Sequence, residues 1–491
     1  MNLADERLKE LDNPTLTENE RALLRSQVAA DLIHKGQYEA ARAALGEYWR
    51  GTGERPSVEG LGDRAAAEVL LQAGVLSGWL GKAKGAQDAA KDLISESAAL
   101  FEKLGEAQRA AGARADLSIC YWREGAYADA RAVLESTAAL IEESAELKAK
   151  TVLCFTVVES SAGRYSDALH LLTESAPLFG EGVSHRLRGI FHNELAIALR
   201  RLGTAERRQD YPDCAIIEYT AAAYHFEQAR LERNVGLIEN NLAFLLYKLG
   251  RYREAHGHLD RAQSVFTRLR DAGSLAHVDE TRARVLVAEG RYRDAERTLA
   301  GVLKTLEQGD ESALLADALT VQGIIWARLW EYQSSINVLR RAAEVAERAG
   351  ALPNAGQAVL SLIEEHGLSR LLPPAEVYAA YVRADRLLKD TQDAEDVARL
   401  RACARVAMRP LSETPLHEKN FSLYGAVHEF EAKLIGQALE DSGGSVTKAA
   451  RLLGLSHQTL ISIMNTRHKG LTGKRKPALK RLKSIIKKNE K

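Results

Sequence analysis

Residues 240–262 read NNLAFLLYKLGRYREAHGHLDRA, and their pattern recurs along most of the chain. Leu242, Leu245, Leu246 and Leu249 are apolar at three- and four-residue steps, the spacing of one helix face. Gly250 follows, a residue suited to the left-handed position that ends a helix. Tyr252 and Ala255 then open a second helix, the small alanine letting its partner approach closely. The same signature appears as GQYEAARAAL from Gly36, GAYADARAVL from Gly125, GRYSDALHLL from Gly163, GRYRDAERTL from Gly290 and WEYQSSINVL from Trp330. With the copy at Gly250 included, the successive offsets are 89, 38, 87, 40 and 40 residues. Two offsets are about double the others, so degenerate copies are expected near Gly81 and Gln209.

One helical pair cannot bury its apolar face alone, so consecutive pairs must stack into a solenoid. Composition agrees: Ala, Leu, Arg and Glu dominate, with ten prolines and 6% aromatics, a mixture that favours helix. The segment LSRLLPPAEVYAAYVRADRLLKD departs from the pattern, and Pro373 and Pro374 end a helix there. A terminal copy then runs to about Met408, and RPLSETPLHEKN, with Pro410 and Pro415, reads as a linker. The fold class expected is all-α: an α-solenoid of about nine helical pairs followed by a small helical domain. Its boundaries are solenoid 1–408, linker 409–422, small domain 423–470 and basic tail 471–491.

The quoted stretch resembles a tetratricopeptide repeat, with the small residue and the Gly-x-Tyr-x-x-Ala core in place. The period exceeds the ~34 residues usual for that repeat, which calls for longer helices or loops. The resemblance covers roughly residues 20–405 and implies a concave surface built from the first helix of each pair. Arrays of this kind bind proteins or peptides there. On that surface Asn193, Arg200, Asn240, Asn241 and Lys248 are candidate partner-binding residues, the asparagines placed to hydrogen-bond an extended peptide. The alternative for them is a solvated polar face or a bond between helices. Trp326 and Trp330 are expected in the core.

Near the other end, residues 443–460 read GGSVTKAARLLGLSHQTL. Val427, Phe430, Leu434, Ala438 and Leu439 give an amphipathic helix before it, stopped by Gly443 and Gly444. Ser445 is placed to cap a short second helix that ends at Gly454, and Ser456 to cap a third. Ala449, Ala450, Leu453, Leu455, Leu460 and Met464 would form the small core. Paired alanines, a turn glycine and apolar anchors are what a tight helix crossing requires. Their spacing resembles the Fis-type helix-turn-helix, whose second helix enters the major groove of double-stranded DNA.

That resemblance implies phosphate contacts for Ser445, Thr447 and Lys448, and a groove-facing set of Ser456, His457, Gln458, Thr459 and Ser462. Gln458 suits adenine, and His457 suits the acceptors of guanine. Ile461 and Ile463 stand where basic residues are usual, so the reading helix itself carries little charge. Arg467, Lys469, Lys474, Arg475 and Lys476 follow it. From Arg467 to Lys491 there are eleven Lys or Arg and one Glu, a net of +10. The whole chain has 67 basic and 67 acidic residues, so the remainder carries −10. Such a tail adds sequence-independent affinity through counterion release. It could instead be a solvated end, or bind the acidic solenoid of its own chain.

Chemistry is scarce. HExxH, Cys/His metal spacing and G-x-S-x-G are absent, and GLTGKRK from Gly470 lacks the phosphate-loop spacing. No enzyme activity, cofactor or metal is expected. The four cysteines form no CxxC pair and read as small buried hydrophobes in a reducing compartment. MNLADERLKELDN lacks a signal-peptide core, and no apolar run approaches the ~20 residues of a membrane span. The expectation is a cytoplasmic DNA-binding transcriptional regulator, nucleoid-associated when bound. Its solenoid would receive a protein or peptide signal, and a homodimer is possible. The alternative is a scaffold or adaptor with non-specific DNA tethering.

Overall fold

The structure, a computed structural model, describes residues 15–81, 86–141, 144–206, 210–307, 312–369, 371–389, 391, 393–412 and 422–474. It divides into two compact units, residues 1–408 and 409–491. All regular elements among the described residues are helical.

The first unit is a run of antiparallel pairs: α1 (Glu18–His34) with α2 (Tyr38–Leu45), α3 (Asp63–Leu80) with α4 (Ala86–Lys103), and α5 (Ala107–Arg123) with α6 (Tyr127–Ala138). There follow α7 (Ala145–Ser161) with α8 (Tyr165–Ser175), α9 (His185–Glu206) with α10 (Asp210–Gln228), and α11 (Glu232–Lys248) with α12 (Tyr252–Leu269). Then come α13 (Ala272–Ala288) with α14 (Tyr292–Glu307), α15 (Ser312–Arg328) with α16 (Tyr332–Arg348), and α17 (Leu352–His366) with α18 (Pro374–Leu387). A last helix, α19 (Ala394–Ser412), follows the ninth pair. One expected degenerate copy is the pair α3 and α4 about Gly81; the other falls on α9 and α10, and Gln209 itself lies outside the described residues.

Each turn inside a pair is closed by backbone. Gly250 has φ +73°, its N–H donates to Tyr247 O at 3.0 Å, and the Arg251 N–H donates to Leu246 O at 2.9 Å. These bonds satisfy carbonyls that the end of α11 leaves open. Trp330 occupies the same position with φ +69° and is 77% exposed, so it is not a core residue as the sequence suggested. Its ring meets only the edge of Tyr332 at the start of α16, at a centroid distance of 6.0 Å among the described residues. Trp326, half-buried, donates from Nε1 to Glu296 at 3.0 Å.

In several pairs a glycine of the first helix lies directly against a side chain of the second. A Cβ on Gly236 would lie 2.8 Å from Cζ of Phe266, and one on Gly189 would lie 2.7 Å from Cε1 of Phe226. Both rings are fully buried against these glycines. The first pair departs from the pattern. Its second helix spans only eight residues, and Trp49, 2% exposed, pins the following loop through Nε1 to Glu54 O at 3.1 Å.

Three contacts far apart in sequence define how the pairs wind. A Cβ on Gly36, at the end of α1, would sit 3.3 Å from Cδ of Arg233, at the start of α11. Arg201 near the end of α9 pairs with Asp393 beside the start of α19. Lys248 at the end of α11 reaches Glu395 Oε1 at 2.7 Å. The first two link a first helix to the first helix five pairs later, so the solenoid completes about one turn per five pairs.

The second unit holds α20 (Leu423–Asp441), α21 (Val446–Leu452), α22 (His457–Thr466) and a 3-10 turn at Lys469–Lys474. Ile435, Ala438, Leu439, Ala449, Ala450, Leu460 and Met464 form its core. Val427, Phe430 and Leu434 are 58%, 52% and 46% exposed, so they are not part of it, and Leu455 is also exposed. The three-helix unit is too small to cover both halves of the α20 apolar face. Cys120, Cys154 and Cys403 are buried, but Cys214 is exposed, contrary to expectation. No described helix is long and apolar enough to cross a membrane.

The Gly236 contact separates packing from backbone. Gly236→Leu must overpack the Phe266 ring and should cost about 1–3 kcal/mol. Gly250→Ala meets nothing within 4 Å, so only its left-handed backbone resists. That change should cost about 1–2 kcal/mol. Denaturant unfolding of the two variants measures both.

Candidate nucleic-acid interface and solenoid groove

In the second unit, Gly444 and Gly454 stop helices with φ +82° and +65°, and the Gly444 and Leu455 N–H groups donate back to Leu439 O and Ala450 O at 2.7 and 2.8 Å. Ala449 and Ala450 are 0% and 1% exposed, allowing α21 to lie close to its neighbours. Ser456 caps α22: its Oγ accepts from the Thr459 N–H at 3.0 Å and lies 2.7 Å from Thr459 Oγ1. Ser445 precedes α21 but makes no side-chain cap bond, unlike the expectation. Its hydroxyl is therefore not committed to the helix it precedes.

On α22, His457, Gln458, Thr459 and Ser462 are exposed, whereas Ile461 and Ile463 are half-buried and Leu460 and Met464 fully buried. The two isoleucines thus belong to the inner side of the helix, with Ile463 packed on the core. Gln458, Ser462 and the exposed Asn465 recur at steps of four and three and form one polar face. Asn465 was missed by reading the motif alone; the helical spacing from Gln458 was the available signal. Thr447 and Lys448 are exposed in the first turn of α21.

The end of α22 is tied to α20. Glu431 accepts from Arg467 Nη1 at 3.3 Å and lies 2.9 Å from Nε2 of the buried His468. The His468 ring packs on His428 at a centroid distance of 4.3 Å. Arg467 therefore has an intramolecular partner, while Lys469 is exposed on the 3-10 turn that follows. Lys474 ends that turn, and Arg475 and Lys476 lie outside the described residues.

Of the expected groove residues of the solenoid, Asn193 is bonded to Asn241, and Arg200 and Lys248 share the Phe244 ring, whereas Asn240 is not at the surface. Asn240 is only 3% exposed, with Oδ1 lacking a hydrogen-bond partner, so it is an interior residue and not a surface ligand for a peptide. It lies one turn from the buried Gly236 and Ala243 on α11. Asn241 Nδ2 donates to Asn193 Oδ1 at 3.3 Å, and Asn193 Nδ2 donates to Glu194 at 3.0 Å. Burial pushes the Glu194 carboxyl up to about 7. Arg200 lies over the Phe244 ring at 5.3 Å, and Lys248 is held by Glu395.

A chamber of about 790 Å³ opens instead among α1, α3, α5, α7 and α9, the five first helices of one superhelical turn. Its walls are apolar at Leu71, Val75, Leu147 and Ile190. Its carboxylates are engaged: Glu68 with Arg109, Asp116 with Lys150 Nζ at 2.7 Å, and Glu146 with the Ser184 N–H and Oγ at 2.8 and 2.6 Å. Burial, then the charges of Arg186 and Lys150, push the His34 imidazole down to about 3, so it is neutral at pH 7. Burial likewise pushes the Cys120 and Cys154 thiols up to about 12 and 11, far from nucleophilic at that pH. None of these residues stands out in sequence, because they converge from positions more than 150 residues apart.

Glu431 makes the tie between α20 and α22 sensitive to acid. Its bond with His468, and the charge of Arg467, hold its carboxyl below the ordinary 4.5. The stabilisation is therefore complete above that value and is lost as pH falls below it through the lowered value. Thermal unfolding of the second unit should show an acid-side loss of midpoint below pH 4.5 that is reduced in Glu431→Gln.

Comparison with known proteins places this geometry. The sequence profile described as bacterial regulatory protein, Fis family, matches residues 426–462. A search of curated proteins gave no match. Among solved structures, a Rap protein complexed with Competence and Sporulation Factor superposes with a TM-score of 0.47 at 16% identity, over 75% of this chain and 100% of that one. Aspartyl phosphate phosphatase F from Bacillus subtilis gives 0.38 at 16%, over 76% and 97%, and yeast Tom70 gives 0.39 at 12%, over 84% and 88%. Superpositions this loose carry no statement about ligand or partner. Residues 426–462 are a Fis-family helix-turn-helix, joined to a tetratricopeptide-type helical solenoid that makes up most of the chain.

Proposed function

We propose that the protein is a transcriptional regulator that reads double-stranded DNA through α22 and receives a protein or peptide signal in its solenoid. The observation that carries the DNA reading is the face of α22. Gln458, Ser462 and Asn465 are exposed together, the helix starts on the Ser456 cap, and its isoleucines turn inward. A helix entering the major groove N-terminus first would bring His457, Gln458 and Thr459 to base edges, with Ser462 and Asn465 deeper along it. Ser445, Thr447, Lys448, Arg467 and Lys469 would meet phosphates. Lys474, Arg475 and Lys476 would extend that contact with the rest of the +10 segment. Phosphate contacts position the module, and base contacts choose the site.

No Lys or Arg lies within α22, which favours a division of labour. The helix supplies discrimination, and the basic segment after it supplies affinity. The scaffold reading makes a different demand: DNA is held by the tail alone, with no preferred sequence. For the solenoid, the support is its inner chamber and the polar positions along its first helices.

Recognition of two-fold sites requires two copies. Tyr424, Val427, Phe430 and Leu434 recur at steps of three, three and four on α20 and are 75%, 58%, 52% and 46% exposed. We assign this stripe to the contact with a second copy, where it would be covered.

Selection of bound sequences from a random DNA pool, followed by anisotropy titrations, tests the reading. Gln458→Ala should lose about 1–3 kcal/mol of preference for the selected site over random DNA, the value of one bidentate base contact. An unchanged preference would leave the scaffold reading. Removing residues 475–491 should weaken selected and random DNA alike and flatten the salt slope by about 0.9 per lost phosphate contact. Val427→Asp with Phe430→Asp should shift the sedimentation coefficient to that of a monomer; a wild-type chain that is already monomeric on and off DNA refutes the dimer.

A further inference from the structure

The inner chamber of the first superhelical turn has an imbalance that its own residues do not resolve. Four cationic side chains line it, Arg109, Arg123, Lys150 and Arg186, against three carboxylates, Glu68, Asp116 and Glu146. Each carboxylate has a polar partner already, two of them cations of the same wall and the third the start of α9. Among the described residues, Arg123 has only the Trp79 ring beneath it, 4.6 Å from the guanidinium carbon. Arg186 forms neither a hydrogen bond nor an ion pair with any described residue, although Glu146 and Asp116 lie near enough to be felt. Burial depresses its pKa, the direction taken by a cation that has given up water without gaining a close partner.

Two neutral polar groups repeat the imbalance. Gln72 on α3 is 8% exposed, faces the chamber and has no hydrogen-bond partner among the described residues. The Ser26 hydroxyl on α1 is buried in the same wall and also lacks one. An unpartnered buried polar group costs stability, and Gln72 and Ser26 line the same chamber as the unpaired Arg186, which points to a ligand there. The remaining surface is apolar, and about 790 Å³ is the size of a small-molecule site.

We infer that the chamber binds a small apolar molecule bearing a carboxylate, with Arg186 as its counter-ion and Gln72 as a hydrogen-bond partner. The carboxylate meets the guanidinium in a place with little competing water, where a charge-assisted bond is strong. The apolar body lies along Leu71, Val75, Leu147 and Ile190, and Arg123 over Trp79 provides a second cation for a doubly charged ligand. Either the C-terminus of a short apolar peptide or a free organic acid has this chemistry. Only the regulatory consequence of binding rests on the solenoid being the signal receiver; the site itself does not.

Trp79 and Trp122 line the chamber, so the intrinsic fluorescence of the full-length protein reports occupancy. The probes are octanoate and N-acetyl-valyl-leucine, each compared with its amide. One or both acids should bind saturably, and the amides at least tenfold more weakly. A tighter dipeptide identifies a peptide terminus, and a tighter octanoate an organic acid. Arg186→Gln should abolish the difference between acid and amide, Arg186→Lys should restore part of it, and Arg123→Gln should retain most of it. Circular dichroism of each variant verifies the fold. Equal binding of acids and amides, wild-type binding by folded Arg186→Gln, or no saturable binding by any probe overturns the inference. DNA affinity is measured separately with the chamber filled: an unchanged value removes signal reception and leaves the site standing.

Discussion

The close approach of two helices across a glycine sets the geometry of the solenoid. Where Gly236 meets Phe266 and Gly189 meets Phe226, the absence of a Cβ lets an aromatic ring lie against helix backbone. Ile94 on Gly74 and Leu388 on Gly356 repeat the arrangement with aliphatic side chains. Protein interiors are close-packed, so one missing methyl at each such point fixes interhelical distance more firmly than the surrounding surface can. Each pair is then a nearly rigid unit, and small rotations between successive units accumulate into a superhelix.

That accumulation creates the chamber. One turn per about five pairs brings the α1–α2 turn against Arg233 and the end of α9 against Asp393. First helices that would line an open groove in a shallower superhelix here face one another around one chamber. Partial burial in that chamber favours neutralisation within the wall. Lys150 and Asp116 pair, His34 stays neutral, and Arg186 keeps a charge that no neighbour fully answers. The same curvature brings the exposed Lys248 onto Glu395.

The helix-turn-helix unit solves a smaller problem with fewer residues. Seven buried side chains hold three helices, so little apolar area is available and local devices carry much of the specification. Three left-handed glycines, paired alanines and the Ser456 cap determine where α21 and α22 start and stop. Glu431, bridging to Arg467 and His468, fixes the far end of α22. The price of so small a core is an uncovered half of α20, from Tyr424 to Leu434.

Much of this was legible in the chain itself. The Gly-x-Tyr-x-x-Ala recurrence determines helical pairs, their turns and their number, because helix periodicity and left-handed turns are local properties of a few residues. The spacing from Gly443 to Leu460 determines the helix-turn-helix for the same reason. Local pattern was silent on which face each residue presents once neighbours pack. Trp330, an aromatic in an apolar register, points to solvent because it takes the left-handed turn; Asn240, polar and expected on the surface, is interior. Ile461 and Ile463 looked misplaced in a DNA-reading helix until packing turned them inward. The chamber lies beyond any local pattern. It depends on the angle at which one pair sits on the next, summed over five pairs, and only that sum brings Ser26, Gln72 and Arg186 around one space.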